Sequence, residues 1–302
     1  MYFKRSAFTM LELVFVIVII GIIGKFGVEF LAQAYNSFMH SKVNNELQAK
    51  SEYAVEFIAS RLQNRIKDSV IARETNTSTP YAIDDANGSE HNFTLLEWVG
   101  VDREDFRGTT KPNWSGIIDV DNNHTTKTTL VSPATNTTDI NNTIIALSDG
   151  NSTINDAALY FLGSDSDIQS GYGWDGNITT IKAQNGTMHP INADTNITLF
   201  KPAYPADGNF TDIYEYYKLA WSAYAIAMEY NSTTKMNNLY FYYNFQPWNG
   251  AKLTDNNVSK SLLLENVSTF QFRGVGSIIK IQVCAKSTLL EDYSLCKEKT
   301  VF

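Results

Sequence analysis

From Ser6 to Gly24 the chain reads SAFTMLELVFVIVIIGIIG, and only Ser6, Thr9 and Glu12 are neither apolar nor glycine. Such a run reads as a membrane-embedded helix, closed by Lys25. Further on, the pattern changes from continuous to periodic. Val43, Leu47, Ala54, Ile58, Leu62, Ile66 and Val70 recur at spacings of four or seven, with Phe57 beside them. Lys50, Glu52, Arg61 and Lys67 occupy other faces, and no proline occurs before Pro80. The pattern predicts one helix from Phe8 to about Arg73, roughly 100 Å long at 1.5 Å per residue. Its first half is embedded, and its second half is amphipathic and packs beneath a domain.

From Glu74 the chain turns to Asn, Thr, Ser, Asp and Gly. The stretch DNNHTTKTTLVSPATNTTDINNT is polar enough to be loop rather than core. AALYFLG and ITLFKPAY, lying within this region, predict short strands. From Leu219 the runs LAWSAYAIAMEY, LYFYYNF, SLLLENVSTFQFRG and SIIKIQVCAK are rich in aromatic and branched residues and separated by short turns. They predict an antiparallel meander whose inner face packs on the amphipathic helix. The fold class is therefore α+β. The predicted boundaries are a leader over 1–7, an embedded helix over 8–30, its amphipathic continuation over 31–73, and an exported β-rich domain over 74–302. That domain divides into a polar, loop-rich insert (74–212) and the meander (213–302).

Charge and cysteine content sharpen this picture. The chain has 302 residues and a net charge of −8, and removal of Lys4 and Arg5 would take the side-chain sum to −10. It has no overall basic character for nucleic acid. With Lys4 and Arg5 held inside by the positive-inside rule, the chain beyond the helix faces the periplasm or the exterior. In an oxidising compartment the two cysteines, Cys284 and Cys296, read as a disulfide. SIIKIQVCAK alternates as a half-buried strand does, and LCKEKTVF serves as its returning partner. A bridge over that spacing is worth on the order of 3 kcal/mol.

Glu12 is the anomaly in the apolar run. A carboxylate at the centre of a bilayer helix costs roughly 2.5–3.5 kcal/mol, so something must offset it. The order of segments is charged leader, small Ala7, then apolar run, the reverse of a secretory signal, whose cleavage site follows its apolar region. A cut after Ala7 would leave the helix on the chain and create an amine on Phe8, one helical turn from Glu12. A neighbouring copy displaced by about a turn could set its amine against this carboxylate.

Ala7-Phe8-Thr9-Met10-Leu11-Glu12-Leu13, after Lys4-Arg5 and before Val14 to Gly24, resembles the cleavage and methylation segment of type IV prepilins and type II secretion pseudopilins. The resemblance implies cleavage between Ala7 and Phe8 by prepilin peptidase, N-methylation of Phe8, and a contact from Glu12 to the N-terminus of an adjacent subunit. Alanine stands where glycine is commoner before the cut. The segment covers about the first tenth of the chain. ENVSTFQFR followed by a hairpin also resembles the C-terminal region of J-type minor pseudopilins and W-type minor pilins.

Sites of chemistry are sparse. His40, His91, His124 and His189 are scattered, and there is no GxSxG, P-loop or HExxH. Asp119, Asp121 and Asn123 have the alternate spacing of a calcium loop, but His124 stands where an EF-hand needs glycine and Leu130 where it needs glutamate. Neither a metal nor a cofactor is expected.

The sequons carry the sharper signal. Fifteen Asn-x-Ser/Thr triplets lie between Asn76 and Asn266. In eleven the residue two before the asparagine is acidic, whereas the overall Asp and Glu content would place an acid there once or twice. These are Asn76, Asn87, Asn92, Asn123, Asn141, Asn151, Asn177, Asn196, Asn209, Asn231 and Asn257. Asn113, Asn136, Asn185 and Asn266 lack the acid. The extended pattern resembles the acceptor of the bacterial N-glycosylation system of Campylobacter-like bacteria, and implies an oligosaccharyltransferase among the partners.

The expected function is that of a non-catalytic minor pilin or minor pseudopilin in a type IV pilus or type II secretion pseudopilus. It would span the inner membrane once, N-terminus cytoplasmic and C-terminal domain periplasmic. Its expected partners are other subunits, prepilin peptidase, the assembly platform and the lipid bilayer, with no direct contact to nucleic acid. Two alternatives remain open: a pilin-anchored exported adhesin or binding glycoprotein, and a subunit of a DNA-uptake pseudopilus.

Overall fold

The computed structural model describes residues 9–75, 79–86, 91–164 and 167–302. One helix, α1 (Met10–Leu62), precedes the β-rich remainder, an α+β arrangement. Over 53 residues it extends about 80 Å. Its first part stands free of the fold: from Thr9 to Phe38 every residue is exposed. Burial begins at Val43 and continues through Leu47, Ser51, Ala54, Val55, Ile58, Ala59 and Leu62.

The helix stops at Leu62, short of the predicted end near Arg73. The apolar spacing does run on, and Ile66 and Val70 are buried. Their backbone, however, is taken by the sheet: the Ile66 N–H donates to the Val99 carbonyl and the Val70 carbonyl accepts from the Ile83 N–H. Tertiary pairing overrides a helical period here. The packed part of the helix thus begins twelve residues later than the predicted boundary at 31, and Ile66 to Arg73 belongs to the sheet domain.

The strands in chain order are β1 (Ile71–Arg73), β2 (Tyr81–Ala82), β3 (Leu95–Val99), β4 (Leu130–Val131), β5 (Ala158–Phe161), β6 (Met188–Ala193) and β7 (Leu199–Pro202). They continue with β8 (Tyr217–Ala220), β9 (Ala223–Asn231), β10 (Met236–Phe245), β11 (Ser259–Val275), β12 (Ile278–Lys286) and β13 (Ser294–Val301). Among them lie the short helices α2 (Arg103–Arg107), α3 (Thr137–Leu147) and α4 (Thr179–Lys182). The larger sheet runs β13-β12-β11-β10-β9-β3-β1-β2, and its pairings are antiparallel. Its β9 to β13 half is the predicted meander. A second sheet runs β4-β7-β6-β5-β8.

One face of the large sheet receives α1. Leu96, Trp98, Ile226, Leu239, Phe270 and Ile281 meet Val43, Leu47, Ile58 and Leu62 there. The predicted alternation in β12 holds, with Ile279, Ile281 and Val283 buried and Lys280 and Gln282 less so. The opposite face is buried too. In AYAIAMEY the alanines Ala223, Ala225 and Ala227 point away from the helix, and their small size admits Trp248, Tyr172 and Phe245. The insert supplies part of that cover, Tyr172 with Trp174, Ile181 and Met188, while Trp248 comes from the segment after β10.

The 74–212 segment is therefore more than loop. The predicted short strands exist as β5 and β7, but the stretch expected to be loop contains β4 and α3. Leu130 and Ile140 from it, and Ile144 just past its end, are fully buried beside Phe161, Phe200 and Leu219 in a third core. Asn136 caps α3 by accepting from the N–H groups of Thr138 and Asp139. The few apolar residues in a polar helix suffice, because they fall on one face at i and i+4.

Candidate assembly segment and glycan acceptor sites

The N-terminal half of α1 is a free apolar surface. An eighteen-residue window within the helix reaches a mean hydropathy of 2.4 and none of it is buried. The helix is thus long and apolar enough to cross a membrane. Exposed apolar residues continue past Lys25, through Phe26, Phe30, Leu31 and Tyr35 to Phe38. Lys25 and Glu29 form an exposed i,i+4 pair at 3.9 Å, so the charges that interrupt the run satisfy each other locally.

Glu12 sits in the first turn of this helix. Its Oε2 accepts from the Thr9 N–H and the Thr9 hydroxyl, each at 2.9 Å, while Thr9 Oγ1 accepts from the Glu12 N–H at 3.4 Å. This is a capping box. It satisfies otherwise orphaned donors and places the carboxylate at the positive end of the helix dipole. Part of the cost of Glu12 is thus offset within its own chain. The Thr9-x-x-Glu12 spacing is the sequence signature for this role, and sequence reasoning missed it. Ala7 and Phe8 lie outside the described residues.

Cys284 and Cys296 form a disulfide. They are register partners on β12 and β13, with Cys284 buried and Cys296 exposed. The bond ties the edge strand to its neighbour. On the opposite side of β13, Lys297 and Lys299 pair with Glu52 and Glu56 of α1. The edge is thereby fixed to both the sheet and the helix.

The sequons separate by environment. Asn76 and Asn87 lie outside the described residues. Of the acid-preceded remainder, Asn92, Asn123, Asn151, Asn177, Asn196, Asn209 and Asn257 are exposed and outside helices and strands. Asn231 ends β9 at the β9–β10 turn and is half-buried. Asn141 is the exception. It lies within α3, half-buried, and its side-chain carbonyl accepts from the Ile154 N–H at 3.1 Å. The loop expected there is a helix. The acid-free group is mostly engaged in structure. Asn113 donates to Asp105, Asn136 caps α3, and Asn266 lies inside β11 at φ 57°. Only Asn185 of that group is exposed.

Three of the acid-preceded sequon asparagines adopt an Asx turn. Asn177 Oδ1 accepts from the Thr179 N–H, and Asn196 Oδ1 from both the N–H and hydroxyl of Thr198. Asn231 Oδ1 accepts from the Thr233 N–H at the hairpin tip. In each case the asparagine folds onto the third residue of its own triplet.

Three buried polar side chains escaped the sequence reading. Ser51 is fully buried within the apolar stripe of α1. Asp102, which caps α2, and Asp105 are buried together. Burial first, and for Asp102 then the neighbouring carboxylate, raise both above the usual carboxylate range. No signal in a single sequence marks an acid at a helix cap as buried. No protein-family model matches the chain, and no curated protein and no solved structure matches it.

Proposed function

We propose that this chain is a non-catalytic subunit of a filament assembled from the bacterial inner membrane, a minor pilin or minor pseudopilin of a type IV pilus or type II secretion pseudopilus. One observation carries the reading. A single helix is wholly exposed and apolar over its first part and packed against a sheet over its last, with a lone carboxylate in its first turn. A lipid-solvated span would account for that exposure, as would contact with like helices in a filament core. The same surface thus serves storage in the bilayer and assembly out of it. The capping box holds Glu12 beside the junction where cleavage would expose the Phe8 amine, so the carboxylate is positioned to exchange its own Thr9 for a neighbour's amine. Prepilin peptidase, the assembly platform and the other subunits are the partners this reading requires, and the sheet domain then lies in the periplasm.

The test has two arms. Intact-mass measurement on protein from the native host should give a chain beginning at N-methylated Phe8. Glu12→Val should remain cleaved and membrane-bound, since removing the carboxylate makes the helix more comfortable in lipid, yet fail to co-purify with the other subunits. A mature chain that retains Met1, or normal assembly of Glu12→Val, overturns the reading.

A further inference from the structure

A cavity of about 410 Å³ opens where the end of α1 meets the second sheet. That size suits a small molecule. Its walls include Phe106 of α2, Trp114 and Ile117 of the loop after it, Leu162 beyond β5, and Tyr216 beside β8. Phe106, Ile117, Leu162 and Tyr216 are each more than a third exposed, so apolar surface faces the opening. The Phe106 and Trp114 rings lie 4.8 Å apart and form one aromatic wall.

Charge distinguishes this cavity from an ordinary apolar dent. Arg65, Arg103 and Lys218 line it, and no carboxylate does among the described residues. Arg65 is 4% exposed. Its terminal nitrogens donate to the carbonyls of Leu62 at 2.8 Å and Ser277 at 2.6 Å, while its Nε has no partner. It forms no ion pair among the described residues, and burial alone pulls its pKa down. Two carbonyl dipoles orient the guanidinium without neutralising it. A buried cation without a counter-ion is costly, and an anion placed nearby recovers part of that cost. The Lys218 ammonium is likewise lowered, by burial first and then by Lys67, with Asp68 acting the other way. Asp102, which caps α2, is held in its neutral form by burial and by the neighbouring Asp105, and neither of these carboxyls lines the cavity.

We propose that this cavity binds a small organic anion, a carboxylate carried on a flat apolar body. The body packs against Phe106, Trp114 and Ile117, and the carboxylate faces Arg103 and Lys218 within the field of Arg65. The apolar walls supply affinity by burial, and the cations select the charged over the neutral form.

The probe is 3-phenylpropionate, compared with its neutral amide, 3-phenylpropionamide, by calorimetry on the full chain in detergent. The acid should bind at least about tenfold more tightly than the amide at low salt, and added salt should erode that preference. Arg103→Gln combined with Lys218→Gln should bring the acid to the level of the amide and leave the amide unchanged. Ile117→Asp should abolish binding of both. Arg65 is kept, because its bonds to Leu62 and Ser277 anchor the end of the helix. Circular dichroism checks each variant; if the double variant does not fold, the acid-to-amide ratio and its salt dependence in the unaltered chain decide. No saturable binding, equal affinity for acid and amide, or unaltered affinity in both folded variants overturns the proposal.

Discussion

The Ser51 hydroxyl on α1 donates to the Leu295 carbonyl on β13, 2.9 Å away. The same oxygen accepts from the Ala285 N–H on β12 at 3.3 Å, and Ala285 and Leu295 are register partners. One buried side chain therefore joins the helix to the last two strands of the meander. Its neighbours in the stripe, Leu47 and Val55, are apolar, and they hold the helix by burial alone.

Ser51→Ala should destabilise the domain by about 1–3 kcal/mol, because a half-buried carbonyl and a buried N–H each lose a partner. Ser51→Thr keeps the hydroxyl and should cost less if the added methyl is accommodated. Thermal unfolding followed by near-ultraviolet dichroism would show both, and hydrogen exchange should rise first in β12 and β13.

The disulfide acts on the same edge. Cys284 and Cys296 are separated by 12 residues and close the β12–β13 hairpin. Replacing both with serine should cost on the order of 3 kcal/mol. Lys297 and Lys299 still hold β13 to Glu52 and Glu56, so the strand should loosen rather than detach. Non-reducing peptide mapping should recover the two cysteine peptides linked. The double variant should melt at lower temperature and become sensitive to protease near Ser294.

What could be read in advance divides along physical lines. The helix, the meander and the cysteine pairing rest on periodicity and spacing, which are local, and they appear in the structure. The end of the helix was misjudged because Ile66 and Val70 keep the helical spacing while their backbone pairs with the sheet. The insert was misjudged because α3 buries only Ile140 and Ile144 beside Thr137, too few apolar positions to stand out among Asn and Thr. The second buried face of the sheet was hidden in Ala223, Ala225 and Ala227, which read as weak strand formers until the bulky residues they admit are known. The Arg65 cavity was illegible for another reason: its walls come from the segment after α1, from α2 and the loop that follows it, from Leu162 beyond β5, and from β8, all distant in sequence.

Asp102 makes stability depend on pH in a definite direction. Burial, then the Asp105 carboxylate, push its carboxyl from an ordinary 3.8 up to about 9. Between these values the folded chain keeps a proton that the unfolded chain gives up. Stability is then greatest below about pH 4 as far as this group is concerned, and falls as pH rises towards 9. The slope is at most about 1.4 kcal/mol per pH unit. Asp102→Asn keeps a side-chain oxygen to cap α2 and removes the titration. Urea unfolding across pH 5 to 8 should show a flatter profile for the variant, with its advantage over the unaltered chain growing at the alkaline end. Glu104 and Asp105 remain in place and bound how much slope persists.

Glycan occupancy should follow exposure as well as the acid. A transferase acting on folded or folding chain needs the asparagine in a reachable segment. Asn92, Asn123, Asn151, Asn177, Asn196, Asn209 and Asn257 meet that condition and carry the acid two residues before. Asn141 carries the acid but sits in α3 with its carbonyl engaged by Ile154. The two requirements therefore come apart at this site. If modification follows folding, Asn141 should be empty while the seven exposed sites are partly filled. If modification precedes folding, Asn141 should be filled alongside them, and the glycan would then have to be accommodated where α3 meets the Ile154 turn. Asn185 supplies the converse case, exposed without the acid, and should be empty either way. Glycopeptide mass spectrometry on protein from the native host, repeated in a transferase deletion, reads all of these at once. Complete absence of glycan from the exposed acid-preceded sites would assign the offset pattern to turn formation alone, since Asp175 Oδ1 accepts from the Asn177 N–H two residues on, a turn that the acid serves without any glycan.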